Sequence, residues 1–331
     1  MKTGAEAGPA DRPPYDPELV AVLDAMLPNG AVSMTLDAIE GARSRSALPD
    51  MEEMLSGRTV SHRTVAVARA GAPDLILSVL SSTAAPVSAT VPAVYYMHSG
   101  GMILGHRLMG LDSCLRWIEE LGVTVVSVEY RLAPEDPYPA ALNDCRDGYL
   151  WMHAHARELG IDTTRTVVAG KSAGAGLAAG LALQLRDDGH PAPIGQLLCY
   201  PMLDDRDASA SCRQFEGAVV WDRQSNRVGW EAYLGDRRGS AEVPVYAAPG
   251  RAEDLSGLPP AYIEAGSAEV FRDEDVAYAS GLWAAGVQAE LHVWPGAFHS
   301  FDSFAPHAEL SRAAENDRVA WLRRTVGPTL P

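Results

Sequence analysis

The sequence predicts an α/β fold, a mostly parallel twisted sheet flanked by helices. Two observations predict it. From about Val60 onward, apolar β-branched runs alternate with segments of helical period, and that alternation implies βαβ crossovers with helices on both sheet faces. The chain is also long enough, at 331 residues with 47% hydrophobic and 21% charged, to bury the core of one large domain.

Taken in order, residues 1 to about 58 read as helical, with Pro9, Pro13, Pro14 and Pro17 near the start and no clear strand. The first delimited strand is "VPAVYYM" (91–97). A helix follows at "LDSCLRWIEELG", where Leu111, Leu115, Ile118 and Leu121 share one face and Gly122 sits at the C-cap position. "VTVVSVEY" (123–130), "TVVAG" (166–170), "IGQLLCY" (194–200), "PAYIEAG" (260–266) and "AELHVW" (289–294) are further strands. Helices are expected from near Pro139, Ala173 and Asp275, and a last one over roughly His307 to Val326. Residues 203–249 interrupt the rhythm with polar and aromatic material, of which "WDRQSNRVGWEAYLG" is helical. Ligands bind at the C-terminal edge of a parallel sheet, so insertions there often form lids. Residues 1–58 and about 203–249 are therefore read as one helical cap on a catalytic domain spanning 59–331.

Bulk properties exclude several functions. A net charge of -16 leaves no basic surface for nucleic acid. No run approaches 18 apolar residues, so no membrane span is expected. The N-terminal stretch has no apolar signal region, which predicts a cytoplasmic protein. Cys114, Cys145, Cys199 and Cys212 are widely spaced without a C-x-x-C pair, so reduced, buried thiols are expected. Lysine is confined to Lys2 and Lys171.

Lys171 lies in "VVAGKSAGAG" (167–176), which admits three chemistries. A phosphate-binding loop needs G-x-x-x-x-G-K-[ST], but five residues before Gly170 stands Arg165, and a strand occupies the loop's place. A nicotinamide turn should follow the first strand; here at least two precede it, and neither lysine has a tyrosine four residues earlier. A nucleophile elbow needs strand, G-x-S-x-G, then helix, and "TVVAG", Ser172 and the small-residue segment from Ala173 satisfy it.

A serine hydroxyl needs a histidine to take its proton and an acid to orient that histidine. His299 lies just beyond the last strand, and the strand before it runs into "EVFRDE", offering Glu269, Asp273 and Glu274. The order Ser, acid, His is that of such sheets. The strand ending at Met97 leads into "HSGGM", where Gly100 and Gly101 can turn amides toward a substrate oxyanion, joined by the amide of Ala173. Each feature lies at the C-terminal end of a strand.

With "HSGGM", "YRLAPEDPYPA" (130–140), "GKSAG", "YPMLDDR" (200–206), "EVFRDE" and "GAFHSF" in this order, the chain resembles the bacterial hormone-sensitive-lipase family of carboxylesterases. The resemblance covers about Val91 to Phe301, and the N-terminal segment is similar to the family's cap. It implies an α/β-hydrolase fold with a helical cap and cofactor-free hydrolysis of short- to medium-chain carboxylic esters, small-molecule substrates. Catalysis would run through Ser172, His299 and Glu269, with an oxyanion hole of Gly100, Gly101 and Ala173. Relatives often dimerise through a sheet edge, so a homodimer is a further expectation. Another acyl hydrolase on this fold (lactonase, amidase or deacetylase) is the nearest alternative, and a non-catalytic small-molecule receptor a more distant one, since such relatives lose a member of the triad.

Three departures from the family pattern stand out. Ser99 replaces the first glycine of His-Gly-Gly-Gly; the family's donors are the second and third, which are kept. Glu269 takes the place of an aspartate, with Asp273 as the fallback acid. Lys171 stands where the elbow usually has aspartate. Exchanging -1 for +1 at roughly 12 Å from His299, at dielectric ~20, disfavours an imidazolium by about 2 to 3 kcal/mol before screening. Activity would then extend toward acid; a solvated lysine paired with a cap carboxylate is the alternative.

Other residues receive plainer readings. His153 and His155 read as exposed helix histidines, since i and i+2 point apart. His98 holds the oxyanion loop by hydrogen bonding. Asp204, Asp205 and Arg206 form a local ion pair. Trp221, Trp230 and Tyr233 pack cap against core, and Asp144 and Asp147 lie on a solvated helix face.

Overall fold

Alternate residues of the central strands part to opposite faces and into two cores, as a pleated strand covered on both sides requires. In the computed structural model, Tyr95, Val126 and Val168 join one core, and Val94, Val125 and Val167 the other. The structure describes residues 12–27, 32–84, 90–217 and 220–327; Pro9 and Lys2 lie outside them.

Eight strands form one sheet: β1 (Val60–Val67), β2 (Leu75–Ser82), β3 (Val91–Met97), β4 (Thr124–Val128), β5 (Ile161–Lys171), β6 (Gly195–Cys199), β7 (Ala261–Gly266) and β8 (Ala289–Trp294). Their order is β1-β2-β4-β3-β5-β6-β7-β8. From β4 to β8 all neighbours are parallel, while β1–β2 and β2–β4 are antiparallel. The β1–β2 hairpin is the part that the strand reading left undelimited. β1 is an edge strand with only one residue of "VSHRTVAV" fully buried, so it carries no continuous apolar run.

The helices before the sheet are α1 (Pro17–Met26), α2 (Ile39–Ser44) and α3 (Met51–Leu55). Those between strands are α4 (Leu111–Leu121), α5 (Ala140–Ala154), α6 (Ala156–Leu159), α7 (Ala173–Asp187), α8 (Ala210–Gln214), α9 (Arg223–Leu234) and α10 (Arg272–Ala284). Last come α11 (Phe301–Phe304) and α12 (Glu309–Val326). α4 ends at Gly122 in the left-handed region, the C-cap that its sequence calls for.

The N-terminal segment docks on the segment carrying His299. Leu19 and Leu23 of α1 pack against Ala297, Phe298 and Phe301, and the Asp16 amide donates to the Gly296 carbonyl at 3.0 Å. It also joins the insertion: Ser33 Oγ donates to Asp222 at 2.5 Å, and the Met34 amide to Ser225 Oγ at 2.9 Å. Arg43 of α2 donates to the carbonyls of Ile103 and Ala133, both at 2.7 Å, binding the N-terminal segment to the loops after β3 and β4. Thus the loops leaving β3, β5, β7 and β8 share one sheet edge, and the N-terminal segment contacts that edge.

Candidate active site

β5 ends at Lys171 and α7 begins at Ala173, so the chain must reverse within Ser172. It does so at φ 55° and ψ -122°, a left-handed conformation that a side-chain-bearing residue adopts only when its surroundings enforce it. The Ser172 amide donates to the Cys199 carbonyl at 2.9 Å, and its carbonyl accepts from Ala175, Gly176 and Met202. A Cβ on Gly174 would stand 2.2 Å from the Met97 carbonyl oxygen, so only glycine lets the first turn of α7 approach the end of β3.

The Ser172 Oγ lies 2.9 Å from Nε2 of His299, and His299 Nδ1 lies 2.5 Å from Oε2 of Glu269. A carboxylate can only accept, so Nδ1 carries the proton and Nε2 is left to accept from the serine hydroxyl. All three residues are buried. Tyr200 and Phe271 present ring edges to the imidazole, each with centroids 5.0 Å away, and fix its plane. Glu269 is itself held, its Oε1 accepting from the Gly266 amide at 2.5 Å. Asp273 lies elsewhere: it accepts from the Ser211 amide at 2.8 Å and pairs with Arg272.

The loop after β3 runs through three left-handed residues, Gly100 (φ 127°), Gly101 (φ 63°) and Met102 (φ 66°). The Gly100 carbonyl accepts from Ile103 and Leu104, closing the turn. Among the described residues, the amides of Gly100, Gly101 and Ala173 donate to no protein acceptor. His98 holds the loop, its Nδ1 2.8 Å from the Ser99 carbonyl and its ring stacked on Tyr130 at 4.0 Å, while Tyr130 donates to the His98 carbonyl. Burial pushes His98 down to about 4, so it is neutral at physiological pH. The Ser99 hydroxyl turns to the Met109 sulfur at 3.3 Å.

Lys171 is neither solvated nor paired with the insertion. It is 5% exposed, and its Nζ lies 2.7 Å from Oδ2 of Asp302, three residues after His299. Burial pulls the ammonium down, but Asp302, with smaller help from Cys199 and Glu315, outweighs it, so Lys171 stays charged. A neutralised pair projects little net field onto His299, which removes the reason for expecting activity to extend toward acid. Sequence reasoning missed Asp302, Tyr200 and Arg318. The one available signal was a lone lysine in an apolar strand, which demands a buried anion.

Some of the other plain readings change and some hold. Asp144 is fully buried, bound by Arg69 and by Arg131 at 2.9 Å, because α5 turns it toward the loop after β4; Asp147 stays part-exposed. Asp205 pairs with Arg251 at 2.5 Å, leaving Asp204 and Arg206 as the local pair. His153 and His155 are half-buried, against Tyr149 and Trp151. Trp230 and Tyr233 are buried in the core, and Trp221 lies against Gly101. The four cysteines are buried and unpaired. Among the described residues, no His, Cys, Asp and Glu cluster could hold a metal, and no helix is long and apolar enough to cross a membrane.

Two spaces flank the site. A niche of about 10 Å³ is lined by Tyr15, Phe215, Trp221, Glu269 and His299. A cavity of about 630 Å³ lies between α4 and α11–α12, lined by Ser99, Met109, Lys171, Ser300, Asp302 and Phe304 among others. It excludes Ser172 and His299 themselves but includes the chain neighbours of both, and of Gly100.

The profile of a family described as having the alpha/beta hydrolase fold matches residues 94–303. Carboxylesterase NlhH of Mycobacterium tuberculosis is 35% identical over 323 residues, covering 95% of this chain and 97% of that protein. Esterase LipI of the same organism is 33% identical over 313 residues, covering 95% and 96%. The solved structure of a bacterial heroin esterase superposes with a TM-score of 0.86 at 36% identity, over 95% of this chain and 98% of that one. With this fold and these relatives, the chain belongs to the hormone-sensitive-lipase-like family of carboxylesterases and is a carboxylic ester hydrolase.

Proposed function

We propose that the protein cleaves short- to medium-chain carboxylic esters by a Ser172–His299–Glu269 triad and an acyl-enzyme. The observation that carries this reading is the unbroken hydrogen-bond chain from Ser172 Oγ through His299 to Glu269. As Ser172 attacks the carbonyl carbon, its proton passes to Nε2, and Glu269 stabilises the imidazolium that forms. The oxyanion is held by the amides of Gly100, Gly101 and Ala173, the last at the positive end of α7. Nε2–H then protonates the departing alcohol oxygen, which leaves the acyl group on Ser172. Water, deprotonated by the same nitrogen, attacks the acyl carbonyl; the acid departs and Ser172 recovers its proton.

Residues 1–58 and about 203–249 act together as the cap; the contacts of Asp16, Ser33 and Met34 support it. The small niche at His299 leaves little room for one limb of the ester. Buried free thiols fit the reducing cytoplasm. Hydrolysis of a p-nitrophenyl ester series by the parent and by Ser172→Ala tests the reading. Activity that peaks at short or medium chains and disappears in Ser172→Ala supports it, and unchanged activity in Ser172→Ala overturns it.

A further inference from the structure

We propose that Lys171 and Asp302 are positioning residues that clamp the nucleophile turn to the histidine loop; this rests on Ser172 and His299 being nucleophile and base. Lys171 directly precedes Ser172, and Asp302 follows His299 by three residues, so their 2.7 Å contact joins the two reacting segments behind the reacting atoms.

The pair is anchored on every side. Asp302 Oδ1 accepts from the Tyr200 hydroxyl at 2.7 Å, and Tyr200 also sets its ring edge against His299. Arg318 of α12 donates to Asp302 Oδ2 at 2.7 Å, to Glu315 at 2.9 Å and to Glu264 of β7 at 2.7 Å. Lys171, Tyr200, Glu264, Asp302 and Arg318 are all buried, so the ends of β5 and β6, strand β7, and helices α11 and α12 meet in one network, whose Lys171 and Asp302 also border the 630 Å³ cavity. Burial alone would raise the Asp302 carboxyl, but Arg318 and Lys171 hold it well below the usual carboxylate range, so it is the anion that both cations need. Such a network fixes geometry when complete and is expensive when broken. Displacing a reacting group by 1 Å costs on the order of 10²-fold in rate, so the clamp's effect belongs in kcat.

The test measures kcat, KM and melting temperature for the parent, Lys171→Met, Lys171→Arg, Asp302→Asn, Tyr200→Phe and the Lys171→Met/Asp302→Asn double variant, with Ser172→Ala as control. Expected are kcat losses of about tenfold or more in Lys171→Met and Asp302→Asn at nearly unchanged KM, because only transition-state geometry is lost. The double variant should be little worse than the poorer single one, as coupled partners behave. Lys171→Arg, which keeps the charge, should recover part of the rate. Folded variants with lowered melting temperature and parental kcat would overturn the clamp. If Lys171→Met does not fold, Tyr200→Phe decides, since it removes one hydroxyl: a kcat reduced roughly threefold supports the clamp and parental kcat refutes it. Residual activity in Ser172→Ala would instead refute the triad reading; an inactive Ser172→Ala beside a fully active Lys171→Met refutes the clamp alone.

Discussion

Glu269 divides its two oxygens between His299 and the backbone, Oε2 at 2.5 Å from Nδ1 and Oε1 at 2.5 Å from the Gly266 amide. The longer side chain of glutamate thus spans from the end of β7 to the imidazole without losing its anchor. Glu269→Gln keeps the shape but can offer Nδ1 a donor where an acceptor is needed, favouring the wrong tautomer. A kcat loss of roughly 10³- to 10⁴-fold is expected, as for an amide in place of a triad acid. Asp273→Ala, which touches Ser211 and Arg272 instead, should keep kcat within about threefold and lower stability by roughly 1 kcal/mol, because the Ser211 amide in the first turn of α8 loses its acceptor. Steady-state kinetics of both variants give the answer; a larger kcat loss in Asp273→Ala would reverse the assignment.

Gly101 faces the Trp221 ring so closely that a Cβ would stand 2.2 Å from it, at a φ of 63° that alanine resists. Gly101→Ala must therefore move either the ring or the amide. If this amide holds the oxyanion as proposed, kcat should fall by about 10²- to 10³-fold. Adding Trp221→Ala removes the steric part only, leaving roughly 1 kcal/mol of left-handed strain, so recovery should be partial. Full recovery, or none at all, would mean that ring and loop are not coupled in this way.

The strands and the site were legible for the same reason, and the network behind the site was not. β3, β6 and β7 are covered on both faces, so their apolar runs stand out; β1, at the edge, mixes Ser, His, Arg and Thr into its alternation. Ser172, Glu269 and His299 could be placed because each follows a strand at the edge where ligands bind. Whether a charged residue is buried depends on what tertiary packing sets against it. Asp302 and Arg318, 16 residues apart on two helices, meet only because α12 folds back over β7. Asp144 shows the same limit, since its helical pattern looks like that of any solvated aspartate.

His98 gives stability a pH dependence of known sign. Its folded value is lowered from 6.5 to about 4 by burial, so below 6.5 the unfolded chain takes up a proton that the folded one refuses. Stability from this residue is complete above about pH 6.5 and is lost as pH falls toward 4. At ~1.4 kcal/mol per pH unit, the loss over that window is about 3 kcal/mol. His98→Asn should be less stable throughout, because it loses the Tyr130 stack, but its stability should fall less steeply between pH 6.5 and 4. Urea denaturation across the window compares the slopes, and identical slopes would exclude His98 as the source.

Asp144 should prove to be one of the costliest carboxylates to remove outside the active site. Its Oδ2 accepts from the Arg131 amide and from Arg131 Nε, both at 2.9 Å, and its Oδ1 from Arg131 Nη2 at 2.9 Å and from Arg69. Arg131 belongs to the loop after β4 and Arg69 to the β1–β2 connection, so one carboxylate ties both to α5. Replacing it with alanine removes the buried anion shared by two guanidinium groups, leaving Arg69 the Pro73 carbonyl and Asp147 and leaving Arg131 the part-exposed Asp136, and should cost roughly 3 kcal/mol. Asp147→Ala, three residues along the same helix and with its side chain 33% exposed, should stay within about 1 kcal/mol of the parent. The contrast separates a buried network from a solvated face on one helix. Because Arg131 follows Tyr130, whose hydroxyl holds the His98 carbonyl, Asp144→Ala should also loosen the oxyanion loop. Its kcat should therefore fall at temperatures where it is still fully folded, whereas Asp147→Ala keeps parental kcat. Equal melting temperatures for the two variants would show that burial of Asp144 contributes nothing beyond a surface pair.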